Sequence, residues 1–170
     1  MPEQKVSLKF IVPVIVILVV LAGVFGYLNS KGERLEEGKI RLKAGNEVIG
    51  EITLDEVRKL PVVDKKLVIN STTGLTKHKF TCTPLLAVFN QIDPEIVKQY
   101  KRVITRGVDN YTSGVNMEEV LEKNNVLLVY ADNDMPLKSK TGSEDTMRIV
   151  ILNDLYGQRF TNYLVEIQLE

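Results

Sequence analysis

Residues Phe10 to Leu28 carry no charge, and this run constrains the chain more than any other feature. Its 19 residues would make a helix of about 28 Å at ~1.5 Å per residue, close to the thickness of a bilayer's hydrocarbon core. Pro13 falls in the first turn of such a helix, where its missing N–H costs little, and Tyr27 sits where an interfacial anchor belongs. A cleaved signal peptide would have a shorter apolar region followed by a small-x-small site. Here Ala22, Gly23 and Gly26 lie inside the run itself. A buried core helix is disfavoured because the run has no polar face. The expectation is therefore a short tail over 1–9, an uncleaved transmembrane helix over 10–28, a polar tether over 29–38 and a folded domain over 39–170.

Charge counting does not fix the orientation. Lys5 and Lys9 precede the run, while Lys31, Arg34, Lys39, Arg41 and Lys43 follow it, so the positive-inside rule does not place the N-terminus in the cytoplasm. The short leading tail and the domain that follows resemble a signal anchor. That layout predicts a single-pass protein of the cell membrane with its C-terminal domain outside the cytoplasm.

Composition removes several classes of function. Lys plus Arg and Asp plus Glu each number 22. Setting aside Lys5, Lys9 and Glu3 leaves 20 basic and 21 acidic residues after the run, so bulk charge does not recruit nucleic acid. A hydrophobic share of 44% is too high for a disordered chain. The single Cys excludes an intrachain disulfide framework, and the single His excludes a three-histidine metal centre. No Walker-type phosphate loop, dinucleotide glycine motif or Ser-His-Asp motif is readable.

The pattern after the run is that of an α+β domain, a mixed β-sheet with short helices. Lys39 to Lys43 alternates, Ala44-Gly-Asn46 turns, and Glu47 to Ile52 returns. Thr53-Leu-Asp-Glu56 is a capping box that starts a helix ended by Pro61. Lys66 to Asn70 reads as a strand and Ser71 to Gly74 as a loop. Thr83 and Pro84 read as N-cap and first residue of a helix. Asp93-Pro-Glu95 starts a brief helical turn, Arg102 to Thr105 a strand, and Asn116-Met-Glu-Glu119 a further helix. Val126 to Tyr130 forms a buried strand and Asp132-Asn-Asp134 a turn. Met147 to Leu152 and Tyr163 to Leu169 close the domain as strands.

The order of these pieces resembles the oxidoreductase molybdopterin-binding domain of sulfite-oxidase-like enzymes. Ile52-Thr-Leu-Asp-Glu56 followed by Leu60-Pro61 is similar to the opening of that family. Phe80-Thr-Cys-Thr-Pro-Leu85 is similar to its aromatic-x-Gly-x-Pro-Leu step into a helix. Gly107-Val-Asp-Asn-Tyr-Thr112 resembles its Asp-Gly-Tyr loop. Leu127 to Ala131 with Asn133-Asp-Met-Pro-Leu137 resembles the strand and turn that follow, and Arg148 to Ile151 with Tyr163 to Ile167 its closing strands. In the family a cysteine thiolate ligates molybdenum, from the loop that corresponds here to Asn70-Ser-Thr-Thr-Gly74. That loop has no Cys, and hydroxyls replace a soft thiolate poorly. Cys82 stands where the family has Gly, and Asn110 replaces the Gly of Asp-Gly-Tyr. No twin-arginine pair precedes the apolar run. The resemblance thus implies a degenerate member without bound cofactor.

Candidate binding residues follow from the residues and the resemblance together. The polar loop Asn70, Ser71, Thr72, Thr73 and Gly74 follows a strand and can offer backbone N–H groups to an anion. Arg106 and Arg148, with Lys138 and Lys140, could cradle an anion, or could be ordinary charges at strand ends. The resemblance puts loops near Arg106 and Asp109 around a pterin pocket, where Tyr111 could cover a ligand or pin its loop to the core. Cys82 reads as a small buried apolar residue, or as a replacement molybdenum ligand. His78 and Cys82, four apart, could share a metal on a helix, but Pro84 puts the helix start after them, so His78 reads as a loop residue facing solvent. The expected function is a membrane-anchored binding module for a small anionic ligand or an envelope protein. The alternatives are a small molybdopterin-dependent oxidoreductase with Cys82 as metal ligand, and a structural or assembly membrane protein.

Overall fold

The computed structural model describes residues 8–30, 35–71, 74–142 and 145–170, with the side chains of 8–10, 28–30 and 71 excepted. The chain divides into two compact units, residues 1–34 and 35–170. In the first, the apolar run forms one helix, α1 (Leu8–Ser30), which begins two residues before the expected span and ends two after it. Its described side chains run from Ile11 to Tyr27 and are all exposed. Among the described residues, no helix is long and apolar enough to cross a membrane.

The second unit is α+β, as the pattern predicts, but it is built on two sheets. Strands β1 (Lys39–Ala44) and β2 (Glu47–Thr53) form the expected hairpin. With β5 (Arg102–Gly107), β6 (Thr112–Asn116) and β10 (Leu164–Leu169) they make a sheet of order β2-β1-β10-β5-β6. The β1–β10 pairing is parallel and the rest antiparallel, so this sheet is mixed. The other sheet runs β3 (Val63–Ser71), β4 (Gly74–Pro84) and β7 (Val126–Asp132), with β8 (Met135–Pro136) and β9 (Arg148–Ile151) both paired to β7. Short helices join them: α2 (Leu54–Val57), α3 (Leu85–Ile92) and α4 (Met117–Leu121).

Local chemistry explains the starts of these helices. The Thr53 hydroxyl accepts the Glu56 N–H at 3.3 Å while the Glu56 carboxylate accepts the Thr53 N–H at 2.8 Å, so two orphan donors of α2 are satisfied. The Glu119 carboxylate takes the Asn116 N–H at 2.9 Å in the same manner before α4. The start of α3 differs from the expectation by one residue. Pro84 is the cap and Leu85 the first helical residue. Thr83 is fully buried and its hydroxyl donates to the Val57 carbonyl at 3.5 Å, so it is spent inside the core and does not cap.

Strands β3, β5 and β7 run longer than their sequence signals, and β4, β6 and β8 are strands where the sequence pattern predicts none. The segment before Phe80 is strand from Gly74 onward, and Ser71 at the end of β3 pairs with Gly74, so the ends of the expected 71–74 loop belong to strands. Lys77, His78 and Lys79 hide this strand in the sequence because they break apolar alternation. Strand β6 escapes for a like reason: Thr-Ser-Gly-Val-Asn has one buried side chain, Val115.

The core collects the inward faces of both sheets with α2, α3 and α4. Ile40, Leu42, Ile167 and Leu164 contribute from the mixed sheet, and Phe80, Leu127, Leu128, Ile149 and Ile151 from the antiparallel one. The Val126–Tyr130 stretch is buried at every position, which marks β7 as the central strand of its sheet.

Candidate functional site

Strand β4 carries Thr76, His78 and Phe80 on one face, because alternate residues of a strand share a side. Burial grades along that face: Phe80 is fully buried, His78 half-buried and Thr76 exposed. The Phe80 ring organises its neighbours. His78 stacks on it with centroids 5.0 Å apart and planes 16° from parallel. The Arg148 guanidinium lies 4.7 Å from the centroid of the same ring, within cation–π range.

His78 is held at both nitrogens. Its Nδ1 lies 2.5 Å from the Asp132 Oδ2 at the end of β7, and its Nε2 lies 2.8 Å from the Thr76 Oγ1. The expectation of a solvent-facing loop His is therefore corrected. A one-residue register shift in the β4–β7 pairing sets Phe80 opposite Asp132, and His78 two residues before it reaches diagonally to the carboxylate.

Arg148 begins β9 and faces a cavity of about 610 Å³ that Asn70, Thr76, His78, Gln158 and Asn162 also line. Ile69, Phe160 and Tyr156 supply its apolar wall. Burial lowers the pKa of Arg148, and the charge of Asp132 works against that shift. Its Nε is buried without a hydrogen-bond partner, as is the second oxygen of Asp132. A smaller cavity of about 220 Å³ shares Arg148 and Asn162 and adds Lys138 and Thr146, whose buried hydroxyl is also unpartnered. Lys66, Lys77 and Lys79 line a third hollow against His78. Arg148 is thus the cation of the large cavity and Lys138 joins it in the smaller one, while Lys79 is paired with Asp134 at 2.7 Å.

Asn70 and Arg148 are thus brought to one cavity, as the sequence reading groups them. Ser71 ends β3 with its side chain outside the described residues, and Thr72 and Thr73 lie outside them altogether. Tyr111 reaches the rim indirectly, since its hydroxyl donates to the Gln158 carbonyl. Asp109 shapes the turn: its Oδ1 accepts the Tyr111 N–H at 3.1 Å, and Asn110 there takes φ 65°. Arg106 does not join the cavity. It pairs with Glu166 at 3.1 Å across β5 and β10 of the other sheet, so the grouping of Arg106 with Arg148 is corrected. Lys140 lines neither cavity, and its backbone N–H donates to Glu37 at 3.1 Å.

His78, Thr76, Gln158 and Asn162 are the polar lining residues that the sequence does not signal as site residues. Extending β4 back to Gly74 would have set Thr76, His78 and Phe80 on one face. Gln158 sits in a single turn of 3-10 helix (Gly157–Arg159) and Asn162 in the stretch that follows it, and both segments are too short to carry a periodic signal.

Cys82 is fully buried on β4 and its thiol donates to the Val63 carbonyl at 2.9 Å. Burial pushes its pKa up to about 12. It stands eight residues from Gly74, about 27 Å along a strand at ~3.4 Å per residue, and does not line the cavity. Among the described residues, no group of three His, Cys, Asp or Glu side chains could hold a metal ion.

The segment that carries Tyr156, Gly157 and Gln158 is braced by Arg159. Its guanidinium meets Glu119 at 2.8 and 3.1 Å and Asp154 at 2.9 Å. Hydrogen bonds from Arg159 hold the Glu119 carboxyl below the usual carboxylate range. A depressed folded pKa contributes stability that is present above the unfolded value and lost as pH falls through the folded one. Arg159 is 38% exposed, so solvent screening limits the effect. Arg159→Ala is expected to cost about 1–2 kcal/mol at pH 7. The gap from the parent chain should shrink as pH falls below about 4. Urea midpoints of both proteins at pH 7 and pH 3 measure this, and an equal gap at both would remove Glu119 from the brace.

Comparisons with known proteins agree on the fold. The family model for the oxidoreductase molybdopterin binding domain matches residues 39–170. No curated protein matches the chain. Among solved structures, the sulfane dehydrogenase SoxCD from Paracoccus pantotrophus is similar with a TM-score of 0.61 and 13% sequence identity, over 77% of this chain and 37% of that one. The present chain thus spans little more than a third of that protein's length. From Lys39 to its last residue, the chain belongs to the oxidoreductase molybdopterin binding domain family.

Proposed function

We propose that this chain is a membrane-anchored member of its family that binds a small anionic ligand at Arg148 and performs no redox chemistry at molybdenum. The observation that carries this reading is the Arg148 guanidinium, set against Phe80 and facing a cavity of about 610 Å³ with a buried Nε that no protein group accepts from. Leaving such a donor unmatched costs free energy, and an oxyanion would supply both the acceptor and the opposite charge. The volume falls in the range of small-ligand sites. A purely structural role gives no reason for such a cavity.

The residues present do not fit the family's metal chemistry. Molybdenum in the family takes a cysteine thiolate, and the one Cys of this sequence is Cys82. Its thiol is spent on Val63, its pKa is raised, and it lies away from the cavity. Neither an oxidation nor a reduction step is therefore assigned to this chain.

Support for the anchor comes from α1, whose described side chains from Ile11 to Tyr27 are uncharged and all exposed. That stretch is shorter than the whole uncharged run Phe10–Leu28, on which the anchor is proposed and whose 19 residues approach the thickness of a bilayer's hydrocarbon core. In the proposed arrangement the domain that follows this run lies outside the cytoplasm.

Full-length protein is the material for the test. It should stay in the pellet when membranes are washed with alkaline carbonate, and external protease should digest its domain in spheroplasts. In detergent, calorimetry should detect binding of sulfate, phosphate or thiosulfate, the last because the structural relative is named for sulfane sulfur. Arg148→Gln should weaken that binding about ten- to hundredfold, the worth of a charge-assisted contact. Unchanged affinity in the variant, or binding of none of the three anions, overturns the ligand reading. Stoichiometric molybdenum in the purified protein overturns the non-redox one.

A further inference from the structure

The anion reading leaves one chain of contacts unused. Thr76 Oγ1, His78 and Asp132 Oδ2 are linked at 2.8 and 2.5 Å. The direction of these bonds follows the protonation of the ring, taken here in the tautomer whose Nδ1 carries the proton. An ionised carboxylate only accepts, so Nδ1 of His78 is the donor to Asp132. In the neutral ring Nε2 is then the acceptor, and the 2.8 Å contact runs from the Thr76 hydroxyl to it. A hydroxyl bonded to an imidazole that a carboxylate orients is the arrangement that activates an alcohol as a nucleophile.

Placement agrees with that role. Thr76 is exposed and both it and His78 line the large cavity, so the hydroxyl is accessible from the ligand side. Stacking on Phe80 fixes the plane of the imidazole. Arg148, over the same ring and on the same cavity wall, is available to an anionic group on the substrate. Asn70 and Asn162 also line that wall.

We infer that Thr76 is a nucleophile, with His78 as its general base and Asp132 as the residue that orients it, acting on acyl esters that carry an anionic group. The Thr76 oxygen forms a bond to the acyl carbon while its proton passes to His78 Nε2. The bond from that carbon to the leaving alcohol then breaks, and the alcohol departs with the proton from Nε2. Water next attacks the acyl-threonine and gives its proton to Nε2. The carbon–Oγ bond breaks, and the proton returns to Thr76. Nothing is oxidised or reduced, and water is the only co-reactant. The inference rests on the anion reading for the role of Arg148 alone.

A covalent probe separates this from a merely structural cross-strand pair. Full-length protein in detergent is treated with an alkyl fluorophosphonate and its peptides are analysed by mass spectrometry. The expected result is one adduct, on Thr76. Thr76→Val and His78→Gln should abolish it, and Thr76→Ser should retain it. Hydrolysis of p-nitrophenyl acetate should fall on the order of a hundredfold or more in both null variants. The parent chain should prefer the mono-p-nitrophenyl ester of succinate to the acetate, and Arg148→Gln should erase that preference. An unlabelled Thr76 in the parent chain, or equal labelling of Thr76→Val, overturns the inference. Labelled Thr76 without calorimetric binding of sulfate, phosphate or thiosulfate would sink the anion reading and leave the nucleophile standing.

Discussion

Phe80→Ala is expected to destabilise the domain by about 3–5 kcal/mol, the range for removing a fully buried aromatic ring. Phe80 has no exposed surface and lies where β4 passes from the exposed hairpin into the core. Its ring supports two polar residues at once, with His78 stacked at 5.0 Å and the Arg148 guanidinium 4.7 Å from its centre. Truncation therefore removes packed volume and also the surface on which both site residues rest. Domains of this size are stable by about 5–15 kcal/mol, so the loss is a large share of the total. Urea unfolding followed by far-UV circular dichroism gives the magnitude. Phe80→Leu keeps most of the volume without the π face and should cost less, about 1–2 kcal/mol. Equal losses for the two would mean that the ring acts through its face and not its bulk, while a loss under about 1 kcal/mol for Ala would deny that Phe80 is packed as described.

Gly107→Ala should cost about 3 kcal/mol, at the upper end for forced overpacking. A Cβ at position 107 would stand 2.5 Å from the Asn162 carbonyl and 2.7 Å from the Asp109 Oδ1. The aspartate could rotate, but Asn162 is backbone. It immediately precedes Tyr163, whose carbonyl accepts the Val108 N–H at 2.9 Å. The strain would thus push β5 from the segment that leads into β10. Because Asn162 lines the cavity, the same substitution should also weaken anion binding. Unfolding midpoints and calorimetry on one preparation test both. A stable variant with intact binding would mean that the segment yields at little cost.

The sequence was most legible where one local rule applied without competition. The Thr53–Glu56 capping box is formed because all its partners lie within one turn. The β1–β2 hairpin follows from alternation and a Gly-Asn turn in which Gly45 takes φ 57°. Strand β7 announces itself as five consecutive apolar residues. The family resemblance needed only the order of such pieces, and the match over residues 39–170 bears it out.

The site was legible in part. Asn70 and Arg148 were named from a polar strand end and a charge at the start of a strand. His78 was misread because Lys77 and Lys79 flank it, and three polar residues in a row look like a loop. In the sheet those lysines face away from the face that His78 shares with Phe80. The mistaken grouping of Arg106 with Arg148 has a similar origin, since sequence does not say which of two sheets a strand joins.

What the sequence determined by itself is local: the uncharged run that becomes α1, the caps, the turns and the strands whose periodicity is unbroken. These depend on contacts between residues close in the chain, whose geometry a short window contains. Tertiary structure alone decided that Asp132, 54 residues from His78, meets its ring. It also turned the Cys82 thiol to Val63 and left Arg148 facing a cavity without a protein acceptor for its Nε. Those outcomes depend on strand register and on which sheet each strand enters, and both are settled by burying apolar faces across the whole domain.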